Sequence, residues 1–532
     1  MSWRATLLLV AAVFSRVSPL AAQNAAPPAG FDAYVERVMK TFDVPGIAVA
    51  IVKDGRVVLA KGYGVRRLGR PERVDADTRF GIASNTKLFT ATALALLVEE
   101  GKLRWDDPVI RYLPDFAMYD PYVTRELSVR DLLVHRSGLG LGAGDLLWWP
   151  ASTYDRAEIA RRLRYIKPAT SFRSAYAYDN VLYLIAGQLI EKLSGTSWEE
   201  FVRARILVPV GMTSSTVRHA DAAGSGNVAS THAEVDGVVR QVAPMTSDNT
   251  NPAGGINATA TDMARWIIVQ MDSGRIAPAA AGVPERRLFS PASTRELWSI
   301  VTPLRPGGPK PAGFDHLRPN LAGYALGIGV QDYRGTLMLQ HSGGLPGYVS
   351  LVTMLPAKRL GVAVLTNQES DFALSAVTFQ AIDALLGVTL PDYLTYYSAR
   401  RDTMRARLAR ESRRAVVTRD STSGPSLALG KYAGQYEDAW YGRVDITREG
   451  SGLVMRFAHT PQLVGDMQHW QHDTFLVRWR DRDLRADAYA TFALTPDGAI
   501  DQLKMAPASD DVDFSYDFQD LLLRPIAKEA VP

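Results

Sequence analysis

The spacing of apolar positions along the chain predicts a series of helices in its first half. Helical spacing, with three or four residues between apolar side chains, occurs in four segments: residues 31–42, 88–100, 180–193 and 261–271. Gly101 and Gly195 follow two of these segments, as glycine commonly does where a helix ends. We expect the second helix to be strongly amphipathic and the fourth to be capped by Thr259 or Thr261.

Strand-like alternation lies on either side of these helices. Residues 46–52 and 56–63 flank the turn Lys53-Asp54-Gly55, which is a hairpin signal. Four later segments, with Gly and Pro in the turns, also read as strands: residues 324–331, 336–341, 347–355 and 361–366. A closing helix is predicted over residues 372–386. This order predicts an α+β domain whose antiparallel sheet pairs the first hairpin with the late strands, with helices packed around it.

The pattern changes twice beyond residue 390. Residues 400–419 contain eight arginines among few acids, which is typical either of a solvated linker helix or of a docking surface for another domain or subunit. A Ser-Thr-Ser-Gly-Pro run at residues 421–425 ends this linker. From Tyr432 onward, short alternating segments predict a small antiparallel β barrel or sandwich of about a hundred residues.

Length, composition and charge limit the classes of protein. The chain has 532 residues, 47% of them hydrophobic and 22% charged, which fits a globular protein of two or more domains. A net charge of +4 is too small to indicate nucleic-acid binding. Residues 1–22 have a charged start, an apolar run and a small-residue end, which predicts a signal peptide; an uncleaved amphipathic start is the alternative. No other segment has the about 20 consecutive apolar residues of a membrane span.

Missing residues and motifs limit the chemistry further. The chain has no cysteine, which excludes disulfides, thiol catalysis and Cys-based metal sites. It has no His-Glu-x-x-His, no Gly-x-Ser-x-Gly and no glycine pattern of a nucleotide-binding loop. We therefore expect no metal and no cofactor.

Three short motifs carry the candidate chemistry. In chain order they are Ser84-Asn85-Thr86-Lys87, Tyr178-Asp179-Asn180 and His341-Ser342-Gly343. Residues three apart share one helical face, and a buried lysine that has lost its proton can activate a serine hydroxyl. Of all lysines in the chain, only Lys87 has a serine three residues before it. Ser84 at a helix N-terminus also gains from the partial positive charge there.

The ordered motifs resemble those of the serine β-lactamase and penicillin-recognising hydrolase family, in particular class C β-lactamases, DD-carboxypeptidases, D-amino-acid peptidases and related esterases. The resemblance covers roughly residues 31–388. Further stretches support it: residues 131–139 (Asp-Leu-Leu-Val-His-Arg-Ser-Gly-Leu), 209–213 (Pro-Val-Gly-Met-Thr), 253–256 (Ala-Gly-Gly-Ile) and 261–264 (Thr-Asp-Met-Ala). It implies an all-helical subdomain beside the sheet. The C-terminal β domain resembles the lipocalin-like module of some peptidases in this family.

The resemblance assigns roles to the first two motifs. It implies that Ser84 is the nucleophile and Lys87 its helical partner, while Tyr178 relays protons and Asn180 orients Lys87 and the substrate. Lys87 beside Tyr178 can lower the pKa of the phenol, so either residue can be the base. Acylation leaves an ester on Ser84, which water or another acceptor resolves.

The third motif departs from the β-lactamase pattern. His341 stands where β-lactamases carry the Lys of a Lys-Thr-Gly triplet, and a histidine is mostly neutral at pH 7. This favours a peptidase or an esterase. The resemblance also implies that Gly343 lets substrate lie against the strand edge and that the backbone N–H groups of Ser84 and Gly344 form the oxyanion hole.

Four other residues near the motifs have two interpretations each. Asp179 either adds a carboxylate to the site or caps the following helix, and we favour the cap. His135 is a structural hydrogen-bonder or a catalytic residue, and we favour the structural role. Trp148 and Trp149 form an aromatic wall for the substrate or serve ordinary packing.

Together these patterns divide the chain into a signal peptide (1–22), a serine hydrolase domain (23–390), an Arg-rich linker (391–428) and a lipocalin-like β barrel (429–532). We interpret the protein as an exported bacterial hydrolase, periplasmic or secreted, that acts on small peptides with D-residues or modified amino acids. A carboxylesterase is one alternative, and a β-lactam-binding protein or weak β-lactamase is another. All motif residues lie before residue 345, so we expect the barrel or linker to tune access or to form a homo-oligomer, not to supply catalysis.

Overall fold

An eight-stranded antiparallel sheet forms the centre of the N-terminal part of the protein. The computed structural model describes residues 26–222, 226–276 and 284–526, so the predicted signal peptide lies outside the described residues. From edge to edge the sheet runs Arg56–Gly64, Gly46–Lys53, Leu360–Thr366, Tyr348–Leu355, Thr336–Leu345, Gly329–Tyr333, Ala322–Tyr324 and Thr302–Leu304. Ile47 lies opposite Thr366, so the first hairpin pairs with a late strand as predicted. The α+β fold is confirmed.

Three neighbouring strands of the sheet are buried on both faces, because helices cover each face: Gly46–Lys53, Leu360–Thr366 and Tyr348–Leu355. Larger side chains of the strand Gly46–Lys53 face a core formed with the helices Phe31–Phe42 and Asp371–Leu386, while its small alanines face a second core. The second core contains the helices Thr86–Glu99, Val181–Ser194 and Ala260–Met271. Among the described residues, seven short α-helices also belong to this part: Pro121–Glu126, Arg156–Arg162, Trp198–Val202, Val208–Val210, His219–Ala222, Asn251–Gly254 and Pro291–Trp298.

Two elements differ from their predictions. The helix Thr86–Glu99 is not amphipathic: every residue from Thr86 to Leu97 is buried, since the helix packs against neighbours on all sides. The predicted strand over residues 324–331 is two strands, Ala322–Tyr324 and Gly329–Tyr333, separated by a turn with Gly327 at φ 79°. A Cβ on Gly327 would lie 2.7 Å from the carbonyl oxygen of Lys87, so this turn packs directly on the helix that carries Lys87.

The C-terminal part is a nearly closed barrel rather than a sandwich. Its eight antiparallel strands follow the order Ile500–Pro507, Ala488–Leu494, Thr474–Trp479, Val464–Gln471, Gly452–Phe457, Gly442–Glu449, Gly434–Asp438 and Arg524–Pro525. Leu503 and Leu523 exchange two backbone hydrogen bonds of 2.8 and 3.1 Å. These bonds link the strand Ile500–Pro507 to the residue directly before the strand Arg524–Pro525, so the two ends of the sheet meet.

The barrel packs against the domain that contains the eight-stranded sheet. Arg485 of the barrel forms a bidentate ion pair with Glu369, with N–O distances of 2.6 and 2.8 Å. Glu369 in turn accepts the backbone N–H of Gly347, in the hairpin that follows the strand Thr336–Leu345. The apolar side chains of both parts join one continuous core.

The Arg-rich segment lies in one long helix, Tyr393–Thr418, which is exposed over most of its length. This helix contacts both the sheet domain and the barrel. Arg405 pairs with Glu234 of the sheet domain, and Arg407 lies 3.2 Å from Asp510 of the barrel. The helix therefore combines the two interpretations of the sequence. Within the described ranges, no helix is long and apolar enough to cross a membrane.

Candidate active site

Ser84 lies in a single tight turn, Ala83–Asn85, immediately before the helix Thr86–Glu99. Ala83 has a left-handed backbone with φ 50°, a strained conformation for a residue with a side chain. The strand with Gly343 packs on this turn, since a Cβ at Gly343 would lie 2.3 Å from the Ile82 carbonyl oxygen. The absence of a side chain at Gly343 thus lets the strand pack directly against the turn that carries Ser84. At Gly344 an added Cβ would meet nothing within 4 Å. Both glycines line the cavity beside Ser84, and the role of Gly343 at the strand edge stays a prediction.

Lys87 is fully buried and has three polar neighbours. Its Nζ lies 3.0 Å from Ser84 Oγ, 2.7 Å from Asn180 Oδ1 and 3.2 Å from the carbonyl oxygen of Ala253. Burial lowers the pKa of Lys87 from 10.5 to about 7, although the nearby Asp145 and Asp179 act in the opposite direction. The structure therefore brings the first two motifs together around one amine that can be neutral near pH 7.

Tyr178 lies beside the same amine. The Lys87 Nζ is 4.8 Å from the centroid of the Tyr178 ring. The centroid of the His135 imidazole lies 4.2 Å from the centroid of the same tyrosine ring. Burial raises the pKa of Tyr178 well above 10, while a hydrogen bond with Ser84 opposes the shift. We expected Lys87 to lower this pKa, which is wrong because desolvation dominates. The directions of the two pKa shifts favour Lys87 over Tyr178 as the base.

His341 is neutral in this environment. Its Nδ1 lies 2.5 Å from the carbonyl oxygen of Ser342, which can only accept, so Nδ1 carries the proton and Nε2 accepts from the Tyr324 hydroxyl at 2.7 Å. Burial lowers the pKa of His341 to about 3. The third motif thus supplies no positive charge to the site at neutral pH.

Asp179 lies directly before Asn180, the residue at the cap position of the helix Val181–Ser194. The helix Val181–Ser194 has Asn180 at its cap position with no side-chain cap bond, and the buried Asp179 oxygens accept no hydrogen bond of ordinary geometry from the described residues. The backbone N–H of Asp179 donates to Nδ1 of His135 at 3.2 Å, which fits the structural role expected of that histidine. Burial raises the pKa of the Asp179 carboxyl to about 7. The backbone N–H of Leu182 and the Ser137 hydroxyl oppose this shift, so Asp179 combines the two interpretations: a carboxyl group beside the site that also faces the first turn of the helix.

Asp145 is a site residue that the sequence did not reveal. Its Oδ2 accepts from Asn180 Nδ2 at 2.8 Å and from Ser515 Oγ at 2.9 Å, and its Oδ1 accepts from Trp148 Nε1 at 2.9 Å. The carboxyl is fully buried, which raises its pKa to about 7. Asp145 is 35 residues from Asn180 and 370 from Ser515, so no local pattern connects them. Its position after the glycine-rich stretch 138–144 was the one available signal.

A cavity of about 250 Å³ opens above Ser84. Besides the motif residues, its lining includes Trp148, Trp149 and the segment Asp513–Ser515 of the C-terminal domain. The two tryptophans thus form part of the cavity wall, and Trp148 also holds Asp145. The expectation that the barrel stays outside the site missed this segment. Ser84 and Gly344, whose backbone N–H groups are the expected oxyanion donors, both line the cavity.

Comparison with known proteins identifies the family. The Beta-lactamase family profile matches residues 31–386, and a family described as Domain of unknown function (DUF3471) matches residues 418–525. The chain belongs to the beta-lactamase family. It is accordingly a hydrolase of the β-lactamase-like serine hydrolase type.

Individual relatives agree with this assignment. The unguisins hydrolase ungD' of Aspergillus campestris is 29% identical over 491 residues, which cover 88% of this chain and 87% of the relative. The octameric penicillin-binding protein homologue from Pyrococcus abyssi superposes with a TM-score of 0.58 at 21% identity, covering 93% of this chain and 99% of the other. The D-amino acid amidase of Ochrobactrum anthropi SV3, solved with D-phenylalanine, has a TM-score of 0.53 at 21% identity, covering 68% and 99%. The two structures show the shared fold.

Proposed function

We propose that the protein is an exported serine peptidase that cleaves small peptides with D-residues or modified amino acids through an acyl-enzyme on Ser84. The observation that carries this proposal is the contact set of Lys87, which lies within hydrogen-bond distance of Ser84 Oγ at 3.0 Å. Export to a bacterial periplasm or to the medium rests on the sequence of residues 1–22.

The contacts of Lys87 suit a general base. A neutral amine has two N–H bonds and one lone pair, and Lys87 has two neighbours that can only accept: Asn180 Oδ1 and the Ala253 carbonyl oxygen. Donation to both leaves the lone pair for the third neighbour, Ser84 Oγ. The serine hydroxyl then donates to Lys87, which is the geometry that proton removal requires.

The first step forms a bond between Ser84 Oγ and the carbonyl carbon of the substrate, while the hydroxyl proton moves to Lys87. The backbone N–H groups of Ser84 and Gly344 stabilise the negative oxygen of the tetrahedral intermediate, typically by about 3 kcal/mol for each donor. When the carbon–nitrogen bond breaks, the leaving amine takes a proton delivered from Lys87 through the Tyr178 hydroxyl. Water then resolves the ester on Ser84 by the reverse path.

Two observations favour peptides over β-lactams as substrates, while the size of the cavity fits either class. His341 is neutral, so the permanent cation that would hold a β-lactam carboxylate is missing. The cavity is small, about 250 Å³, which suits a short segment of a substrate. Relatives include a hydrolase of unguisins, and a D-amino acid amidase shares the fold.

A homo-oligomer through the barrel or the linker stays a prediction. The octameric homologue from Pyrococcus abyssi, which covers 93% of this chain, supports it. Light scattering of the purified full chain measures the assembly directly, and a strictly monomeric protein at micromolar concentration would contradict it.

A hydrolysis screen tests the substrate proposal. The purified full chain is offered matched D- and L-peptides and their amides, p-nitrophenyl esters and nitrocefin, with the Ser84→Ala protein as the control for background hydrolysis. We expect a D-containing or modified peptide to have the highest kcat/KM. Turnover of esters without any peptide cleavage would make the protein a carboxylesterase, and nitrocefin as the best substrate would make it a β-lactamase.

A further inference from the structure

A segment of the C-terminal domain, residues 513–517, enters the cavity wall and contacts the turn that carries Asp145. The carboxylate of Asp517 accepts the backbone N–H groups of Gly144 at 2.7 Å and of Leu146 at 3.1 Å, on either side of Asp145. Gly142 is also closely packed, since a Cβ there would lie 2.5 Å from the Phe514 carbonyl oxygen. The segment is therefore seated on this turn by several independent contacts.

Ser515 begins a series of hydrogen bonds that ends at the nucleophile. Its hydroxyl donates to Asp145 Oδ2, which also accepts the side-chain N–H of Asn180. Because the amide nitrogen of Asn180 faces Asp145, its oxygen faces Lys87 at 2.7 Å. Lys87 then contacts Ser84 at 3.0 Å.

The orientation of the Asn180 amide decides whether Lys87 can act as a base. With the oxygen toward Lys87, the amine donates a hydrogen and keeps its lone pair for Ser84. A reversed amide would present N–H to the amine instead, and the lone pair of Lys87 would accept that hydrogen. The reversed orientation therefore removes the base without moving any backbone atom.

Asp145 maintains this orientation only while it accepts hydrogen bonds from its neighbours. It is fully buried, and its three donors are Asn180, Trp148 and Ser515. A buried carboxylate that loses one donor is less stable as an anion, so its pKa rises. Once protonated, Asp145 would itself donate a hydrogen, and the partner that suits it is the oxygen of Asn180. The loss of Ser515 thus favours the reversed amide.

We propose that Ser515 is a positioning residue that completes the hydrogen bonds of Asp145 and thereby keeps the Asn180 amide oriented toward Lys87. The C-terminal barrel domain supplies part of the active site through this side chain. The inference rests on the proposed acyl-enzyme on Ser84, and it adds a residue that acts through others without touching the substrate.

The test compares the rate at which a fluorophosphonate labels Ser84 in the full-length parent and in Ser515→Ala. We expect the rate constant to fall about 10- to 100-fold, the usual effect of removing a hydrogen bond to a charged group. Met505→Ala is the matched control for a merely structural effect, since Met505 is buried in the barrel and lies in the strand Ile500–Pro507, outside the 513–517 segment. It is expected to lower the melting temperature and leave labelling within about twofold.

A pH profile separates positioning from packing. The titratable groups that act on Asp145 are Lys87, Tyr178 and a second buried carboxyl, Asp517. A third carboxyl, Asp513, accepts the backbone N–H of Ser515 at 2.8 Å, a bond that Ser515→Ala keeps. The active form needs Lys87 without its proton and Asp145 without its proton, so a higher pKa of Asp145 moves the acid limb of the labelling profile to higher pH. Ser515→Ala should show this shift, and Met505→Ala should not. Ser515→Thr, which keeps the hydroxyl, should restore rate and profile if its circular-dichroism melt matches the parent.

The outcomes are distinguishable. If the parent is not labelled at Ser84, the acyl-enzyme proposal fails and the positioning role falls with it. If the parent is labelled and Ser515→Ala reacts within twofold of it, only the positioning role is wrong. Ser515 would also have only a packing role if Met505→Ala lost the same rate, or if the acid limb of the Ser515→Ala profile did not shift.

Discussion

The two walls of the cavity above Ser84 are built in different ways. One wall consists of motif residues on regular elements: Ser84 and Lys87 lie one helical turn apart, and Gly343 lies on a strand that packs against their turn. The other wall is Asp513–Ser515, an irregular segment of a separate domain. The first wall holds the groups that perform the proposed chemistry, and the second holds a side chain that aligns them. Local sequence specifies the chemical groups, whereas their alignment depends on a contact between residues 370 positions apart.

Substituting Lys87 and Tyr178, singly and together, tests the chemical role of the first wall most sharply. Lys87→Ala or Tyr178→Phe should each reduce kcat/KM by about 10³-fold or more, and the double variant should be little worse, because residues on one proton path are not additive. Steady-state kinetics on the best peptide of the screen measures all three. Losses that simply multiply would show that the two residues work independently.

Asp145 links the two walls, and its isosteric variant should have an intermediate effect. Asp145→Asn cannot accept from Asn180, Trp148 and Ser515 together, since it replaces one acceptor oxygen with an N–H donor. We expect kcat to fall about 10²-fold. The matched control is Asp120→Asn, because Asp120 caps the short helix Pro121–Glu126 and asparagine caps equally well. Equal activity of both variants would contradict the role of Asp145.

The pH dependence of activity distinguishes the candidate bases. The pKa of Lys87 is lowered to about 7, and only the unprotonated amine can take the serine proton. Activity should therefore rise with pH through about 7. Below this range it should fall at least about tenfold for each unit, and up to about a hundredfold where both Lys87 and Asp145 must lose their protons. The carboxyls of Asp145 and Asp179 titrate in the same range, so the midpoint belongs to the group of three. Tyr178→Phe should keep this midpoint, because burial raises the pKa of the phenol and favours its protonated form. A Tyr178→Phe profile without this midpoint would make Tyr178 the base.

The smallest effect concerns the third motif. His341→Lys introduces the cation that β-lactamases carry at this position, and we expect nitrocefin to acylate the variant about three- to tenfold faster. Burial opposes the new charge, which keeps the gain small. His341→Gln, which stays neutral, is the control. A gain of the same size in both variants would show that charge is not what limits β-lactam acylation.

Much of the first wall could be predicted from the sequence. Ser84 and Lys87 follow from spacing alone, because residues three apart on a helix are neighbours wherever the helix lies. The pairing of the first hairpin with the late strands follows from alternation and order. The predicted amphipathic face of the helix Thr86–Glu99 was wrong, because neighbours that surround this helix come from distant parts of the chain.

The second wall could not be predicted in this way. Asp145 and Ser515 belong to no periodic pattern, and their contact exists only when the barrel is seated on the turn around Gly144. The close packing at Gly343 could not be predicted either. The missing side chain of Gly343 makes room for the carbonyl oxygen of Ile82, a contact that depends on how the sheet meets the helix.

The central claim is that Ser84 forms the covalent intermediate, and mass spectrometry of trapped protein tests it most directly. The full-length protein is treated with a fluorophosphonate, its intact mass is measured, and the labelled peptide is sequenced. We predict one adduct per chain, on the peptide that contains Ser84, and none in Ser84→Ala, which should also be inactive. An adduct on another residue, or a Ser84→Ala protein that still hydrolyses the best peptide, would contradict the account.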